Sequence, residues 1–499
     1  MPGSGGTRTQ EDIGMDADTI MRIRPALTTY LHEFDGCMGR RGNRRHLDTY
    51  VAGQLSHLPR KSIEPMADAA GVPPRTLQEF LSQGKWDDVA ATDRLQQRVA
   101  RRHGHAHSVG VIDETSFVKK GRHTACVQRQ YCGSRGKVEN CVVAVHLGYA
   151  AGDFHTLLDG VPYLPEKTWD DLRRRRRAGI PGEVIYRPKW EIALEMLTQA
   201  LGNGVRFAWL TFDEGYGGKP PFLRALEGMG QNYVAEIPAD TVGWTKPPQV
   251  HYQDHPRDKA RGNSRRQPRL KVRNAPAVEV RNLLKHSPVL RKEPWQRYRV
   301  KDGEKGPMVW EAKRVPFWIK DEQGLPGGPY HLVVARPVTQ PDEVKYFLSN
   351  APPGTALSVL LLAAFSRWRI ERMFEDSKTE LGLDHFEVRQ YGSIQRHLLL
   401  TCVSHLFLAE FRQEQRGKKS GADRVPGAHR RVRPGADLVS WRAVLAAAGG
   451  NDRGAIGVNA GAQRPSPPQP PQSGAAEIAR PRHSPATGSY VPLAAVLAL

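Results

Sequence analysis

Between His107 and Ile237 the chain changes its period repeatedly, and nothing else in the sequence limits the fold so much. SVGVIDETSF is a short apolar run that ends in an acid, CVVAVHLGYA (Cys141 to Ala150) is β-branched and alternating, and FHTLLDGVPYLP (Phe154 to Pro165) offers a third strand. KWEIALEMLTQALGNG (Lys189 to Gly204) then takes a helical period and stops at glycines. VRFAWLTFDEGYG is again an apolar strand ending in acids, followed by a helix through Leu226 and the strand NYVAEI. Three consecutive strands, then helix, strand, helix and strand, describe a mixed α/β sheet.

The flanking segments behave differently. Residues 1–105 read as helical. Within them, Ile63, Met66 and Ala70 share a face, Gly71-Val72-Pro73-Pro74 makes a turn, and Leu77, Phe80 and Leu81 begin a second apolar stripe. That pattern suits a helix-turn-helix or an ordinary helical hairpin. Residues 106–240 hold the first part of the α/β core, and residues 241–350, rich in Pro, Gly and Arg, read as a β-rich basic insertion with strands at VEVRNLL, PMVWEAKRVPFWI and YHLVVARPV. Residues 351–413 return to helix as TALSVLLLAAFSRWRIERMFEDSKTELGL, expected to be one long helix, and a second from about Ser393 to Phe411. Residues 414–499 shift to Gly, Ala, Pro and Arg, a composition expected to remain without a packed core.

Composition narrows the partners. No run of 18 apolar residues occurs, and the amino terminus lacks the basic start and apolar stretch of a signal peptide, so a soluble intracellular protein with no membrane partner is expected. Five scattered cysteines with no C-x-x-C pair argue against a zinc ribbon or a disulfide framework and suit small core or surface positions. Lys plus Arg outnumber Asp plus Glu by 73 to 52, a net charge of +21 that calls for a polyanionic partner. His255 to Arg273 alone carries eight Lys or Arg against one Asp, which marks Arg265, Arg266, Arg269 and Lys271 as candidate phosphate contacts. The five arginines Arg173 to Arg177 are either a charged helix surface or a DNA track.

Asp113 and Asp213 each end an apolar strand, where a sheet presents side chains to a ligand. Neither has a Lys or Arg within two positions. Close carboxylates raise each other's pKa unless a divalent cation neutralises them, and hard Mg²⁺ prefers oxygen ligands. Two such ions about 3.5–4 Å apart can serve the attacking and leaving oxygens of a phosphodiester. Adjacent residues of a strand face opposite ways, so only one of Asp113 and Glu114, and one of Asp213 and Glu214, can face such ions. Arg367, Glu371, Glu375 and Lys378 are spaced 4, 4 and 3 apart on one helical face, which by itself also describes a ladder of exposed ion pairs.

At these residues the sequence resembles the insertion-sequence transposases of the DDE superfamily, in the subgroup with a β-rich insertion before the last acid. VIDETSFVKKGRHTACVQRQYCGSRGKVENCVVAVHL resembles the first-acid block, LPEKTWDDLRRRRRAGIP and RPKWEIA the joining segment, and LTFDEGYGGKPPFLRALEGMGQNYVAEIP the second-acid block. SRWRIERMFEDSKTELGLDHFEVRQYGSIQRH resembles the third. Of the wider signature Y-x2-R-x3-E-x6-K, Arg367, Glu371 and Lys378 match, while Ala364 stands in the first position. The resemblance runs from about Leu31 to Phe411. It implies an RNase H-like mixed sheet with flanking helices, an N-terminal helical domain and a β-rich insertion.

It also implies Asp113, Asp213 and Glu371 as the catalytic, metal-binding triad, with Glu375 in reserve, holding two Mg²⁺ ions for which Mn²⁺ can substitute. Arg367 and Lys378 would contact transposon-end phosphates, and Trp244, Trp295, Trp310 or Trp318 would stack on a flipped base unless they are core residues. The implied partners are double-stranded DNA, as transposon ends and target, and a second copy of the chain in a synaptic dimer. The implied chemistry is cleavage at transposon ends and strand transfer by in-line phosphoryl transfer, without a covalent protein–DNA intermediate. An RNase H-like nuclease that does not join DNA, and an inactive DNA-binding relic, are the alternatives.

Overall fold

The computed structural model describes residues 17–251, 268–272, 275–303, 306–422 and 491–492. Its first elements are helices: α1 (Ala17–His32), α2 (Asp35–Met38), α3 (Arg41–Gln54), α4 (Ile63–Ala70), α5 (Pro74–Ser82) and α6 (Asp88–His103). The turn between α4 and α5 closes through Gly71 in the left-handed region, φ 65°. Ile63, Met66, Leu77, Phe80 and Leu81 are buried beneath it. On the outer surface of α5, Arg75 is tied to Glu79 at 2.6 Å.

The apolar run around Asp113 becomes β1 (Val109–Val118), which does not end at the acid as expected but continues to Val118 because β3 pairs along its whole length, and β2 (Gln128–Cys132), β3 (Lys137–Ala151) and β4 (Phe154–Pro162) follow it. β3 is antiparallel to β1, and its opposite edge carries β2 along its first residues and β4 along the rest. The strand β2 has no counterpart in the sequence reading, because QRQYC carries little apolar periodicity and is fixed by its pairing with the start of β3. After α7 (Leu172–Arg177) and α8 (Lys189–Gly202) come β5 (Trp209–Phe212), α9 (Glu214–Gly217), α10 (Pro220–Gly228) and β6 (Tyr233–Glu236). β5 lies parallel to β1, and β6 parallel to β5. The order β4-β3-β1-β5-β6, with antiparallel strands on one side of β1 and parallel strands on the other, is the expected RNase H-like mixed sheet.

The strands of residues 242–349 continue this sheet. β7 (Val242–Trp244), β8 (Val250–His251), β9 (Arg269–Leu270) and β10 (Val278–Glu279) precede α11 (Val280–His286) and α12 (Pro288–Lys292), so the strand expected at VEVRNLL is extended only at its first two residues and is otherwise a helix that buries Val280 and Leu283. The long strands β11 (Gln296–Gly303), β12 (Gly306–Lys320) and β13 (Pro326–Pro337) lead to β14 (Lys345–Ser349), which pairs with β6. Only β8 and β9 form a small separate sheet among these strands.

The expected long helix is two: α13 (Leu357–Phe365) and α14 (Trp368–Leu381). At the break, Ser366 Oγ donates to Leu362 O at 2.7 Å, and Arg367, Arg369 and Ile370 N–H groups each reach back three residues rather than four. A serine that bonds its own preceding turn bends a helix, and the tightened turn resets its direction. The last described helix, α15 (Tyr391–Ala422), packs against α3 and α6: Tyr50 Oη meets His397 Nδ1 at 2.8 Å, Gln54 Nε2 donates to Thr401 Oγ1 at 2.8 Å, and Arg98 chelates Glu410. All five cysteines are free, as their scatter suggested, and all are buried. No helix among the described residues is long and apolar enough to cross a membrane.

Candidate active site

Parallel pairing puts Ile112 beside Phe212 and Phe212 beside Ala235. The next residue on each of these neighbouring chains is an acid: Asp113, Asp213 and Glu236. Asp213 leaves β5 as the N-cap of α9, its Oδ1 accepting from Gly215 N at 2.9 Å. Asp113 accepts its neighbour's Glu114 N at 2.7 Å through Oδ1 and Arg367 Nη1 at 3.2 Å through Oδ2.

Arg367, at the start of α14, is the hub. Its guanidinium lies 3.6 Å from Glu371 Oε1 and 3.8 Å from Glu236 Oε2 while it holds Asp113. Glu371 is thus linked to the strand acids through a cation, and its side chain is 58% exposed against 15% for Asp113. Glu375 points elsewhere, 3.2 Å from Arg372. Glu236 is further neutralised by Lys345 Nζ at 2.6 Å.

Glu114 faces the other side of β1, where Lys189 pairs with it and Tyr216 Oη donates to its Oε2 at 3.1 Å. The alternation along the strand therefore aims Asp113 at α14 and Glu114 at α8. Glu214 is exposed on the first turn of α9.

The electrostatics are those of crowded acids. Burial, with the Asp213 carboxylate adding to it and Arg367 opposing, pushes Asp113 up to about 7. Burial and the charge of Glu114 also raise Asp213. Carboxyl groups that are costly to ionise in the free protein gain when a divalent cation shares their charge, and their oxygens form the hard donor set that Mg²⁺ prefers. The residues present fit such an ion at Asp113 and Asp213. The described residues contain no compact group of three or more His, Cys, Asp or Glu set to hold one, since Glu371 meets Arg367 rather than the two aspartates.

The other candidates scatter. Lys378 lies half-buried two turns along α14 from Glu371, its pKa lowered by burial. Arg269 lies on β9 in the small β8–β9 sheet, and Lys271, just past that strand, donates its N–H to Gln249 O at 2.8 Å. Arg265 and Arg266 lie outside the described residues. Trp244 and Trp310 are buried, Trp310 against Phe365 and Trp368. Trp295 is sandwiched by Lys313 at 4.3 Å and Arg336 at 4.0 Å. Trp318 pairs with Trp244 across β12 and β7.

Sequence reasoning passed over Glu236, Lys189, Tyr216 and Gly217. Glu236 carried a signal, since NYVAEI is a third apolar strand that ends in an acid. Gly217 carried none: a Cβ there would stand 1.9 Å from Glu236 O, a contact set by how α9 docks on β6.

Comparison with known proteins bears on this arrangement. The model of the family described as "DDE superfamily endonuclease" matches residues 33–307, more than half of the chain. Asp113 and Asp213 fall within that match and Glu371 beyond it. A relative described as "Probable transposase for insertion sequence element IS701", from Microchaete diplosiphon, is 34% identical over 190 residues. That alignment covers 37% of this chain and 46% of the relative.

Proposed function

Since this chain belongs to the DDE superfamily of endonucleases, we propose that it is an insertion-sequence transposase that cuts DNA at transposon ends and joins the freed ends to target DNA. The observation that carries this reading is the parallel pairing of β1 with β5, which sets Asp113 beside Asp213 with Arg367 bridging to Glu371. Asp113 and Asp213 would hold divalent metal, two Mg²⁺ ions with Mn²⁺ able to substitute, and Glu371 would complete the set by exchanging Arg367 for the metal. Bound there, the metal supplies Lewis-acid activation of an attacking oxygen and charge neutralisation of a leaving one.

This chain's own side chains supply the rest. Asp213 is fixed by its cap hydrogen bond and Asp113 by its strand, so the pair is preorganised. Arg367 is placed to hold a phosphate oxygen once its acids turn to metal, and Lys378, Arg265, Arg266, Arg269 and Lys271 would contact the DNA backbone. No Ser or Tyr nucleophile is required, because the attacking groups are water and a DNA 3′-hydroxyl. Double-stranded DNA and a second copy of the chain are the partners this chemistry needs, since two ends must be joined in one event.

The test is an assay with purified protein, Mg²⁺ and labelled DNA carrying the element's own ends, with Asp213→Ala alongside. Metal-dependent cutting and joining that disappears in Asp213→Ala is the expected result. Cutting without joined products would leave a nuclease, and end binding without cutting in either protein would leave a DNA-binding relic.

A further inference from the structure

The five consecutive arginines of α7 divide into two groups. Arg174 stacks on the Trp169 ring at 4.0 Å and donates to Thr168 O at 2.6 Å and Arg122 O at 3.0 Å. Arg175 donates to Pro181 O at 3.3 Å and to Val184 O. These two side chains build the turn. Asp171 serves it as well, its carboxylate capping α7 by accepting Arg173 N at 2.8 Å.

Arg173, Arg176 and Arg177 are exposed, and none of their guanidinium groups has a partner among the described residues. Other exposed or half-buried arginines of this chain do meet acids, as Arg224 meets Glu322, Arg336 Glu311 and Arg372 Asp376. The loop that accepts from Arg174 adds exposed Lys120, Arg122 and His123 to the same surface. Asp170 and Asp171, just before α7, are the acids beside this cluster, and they are fewer than its cations; such an excess of positive charge is costly to hold together and is relieved by a polyanion.

Its position relative to the acids is set by β1. The strand runs on from Asp113 to Val118 before the loop begins, which at about 3.3 Å per residue is about 17 Å. Phosphates on one strand of duplex DNA recur about every 3.4 Å along the axis, so that span corresponds to about five base pairs.

We propose that Arg173, Arg176 and Arg177, together with the loop from Lys120 to His123, form a ledge that grips the DNA phosphate backbone about five base pairs from the position of Asp113 and Asp213. The proposal rests on the reading of the chain as a DNA-cutting enzyme. The contact is sequence-independent, and it orients the duplex across the C-terminal ends of β1 and β5.

The experiment is salt-dependent binding of the full chain to a random-sequence duplex of about 30 base pairs, between about 50 and 200 mM salt. The triple variant R173A/R176A/R177A is compared with R173K/R176K/R177K. With about 0.9 counterions released per phosphate, the alanine variant is expected to lose about 2.7 from the slope of log affinity against log salt, and the lysine variant to keep it. An unchanged slope in an alanine variant with a wild-type melting temperature overturns the ledge and leaves the acids' assignment untouched. A wild-type chain with no salt-dependent binding overturns ledge and transposase reading together. A ledge that behaves as expected in a protein that never cuts DNA overturns the catalytic reading alone.

Discussion

Arg367 Nη1 and Asp113 Oδ2 meet at 3.2 Å across 254 residues of chain, and through that contact the helix carrying Glu371 is held to the strand acids. The guanidinium occupies the place among the carboxylates where positive charge is needed.

Asp113→Asn should abolish cutting yet stabilise the metal-free protein at pH 8. Asp113 titrates at about 7 in the fold against an ordinary 3.8, so the folded chain binds this proton more tightly than the unfolded chain. Its contribution to stability therefore falls as pH rises from about 3.8 to about 7 and stays lowest above. His146, His155 and His397, each lowered to about 4 by burial, push in the opposite direction below their ordinary 6.5, because charging them opposes folding. The difference in melting temperature between wild type and Asp113→Asn, taken at pH 5 and pH 8 with a chelator present, isolates the aspartate. A difference of about 1–3 kcal/mol in favour of Asn at pH 8, shrinking at pH 5, is expected. A less stable Asn variant at pH 8 would contradict the raised pKa.

Mg²⁺ should raise the melting temperature of the wild type and not that of Asp113→Asn or Asp213→Asn. At about a hundred times its dissociation constant, a ligand specific for the folded state adds about 2.7 kcal/mol. Equal shifts in all three proteins would place the ion elsewhere.

Arg367→Ala should lower stability in the absence of metal by about 1–3 kcal/mol, since it strips half-buried carboxylates of their counter-charge. In the Asp113→Asn background the loss should be smaller, and the double-mutant cycle gives the coupling directly. Additive losses would mean that the 3.2 Å contact carries no energy.

Gly217→Ala should disable cutting without touching any acid. The added methyl would meet the Glu236 carbonyl at 1.9 Å, so α9 must move away from β6 and carry its N-cap Asp213 with it. Wild-type turnover in a folded Gly217→Ala protein would show that Asp213 need not be held there.

Arg98→Met should cost about 3–5 kcal/mol in urea unfolding, because it leaves the Glu410 carboxylate buried without its bidentate partner. Arg98→Met with Glu410→Leu should recover part of the loss. Full recovery of the fold by Arg98→Met alone would show that α6 and α15 do not depend on this pair.

The sequence by itself determined most of the alternation of strands and helices and the apolar runs that carry Asp113 and Asp213, because period and apolar runs are local properties that survive in any tertiary setting. The order of the sheet was not among these: that VIDETSF and TFDEGYG lie side by side as parallel neighbours is fixed by the pairing of β1 with β5. Tertiary structure alone decided the rest. QRQYC became a strand only by pairing with β3, and the helix expected from Thr355 to Leu383 broke at Ser366, where α13 lies against the sheet's parallel side and α14 turns to reach β1. Both outcomes depend on partners far away in sequence, which no local pattern encodes. The same holds for the acids' surroundings: the spacing of Arg367 and Glu371 described an exposed ion-pair ladder equally well, and it was the packing of α14 against β1 that turned the arginine inward to Asp113 and left Glu375 with Arg372. A side chain's charge is written in the sequence, but the counter-charge it meets is fixed only when distant elements pack.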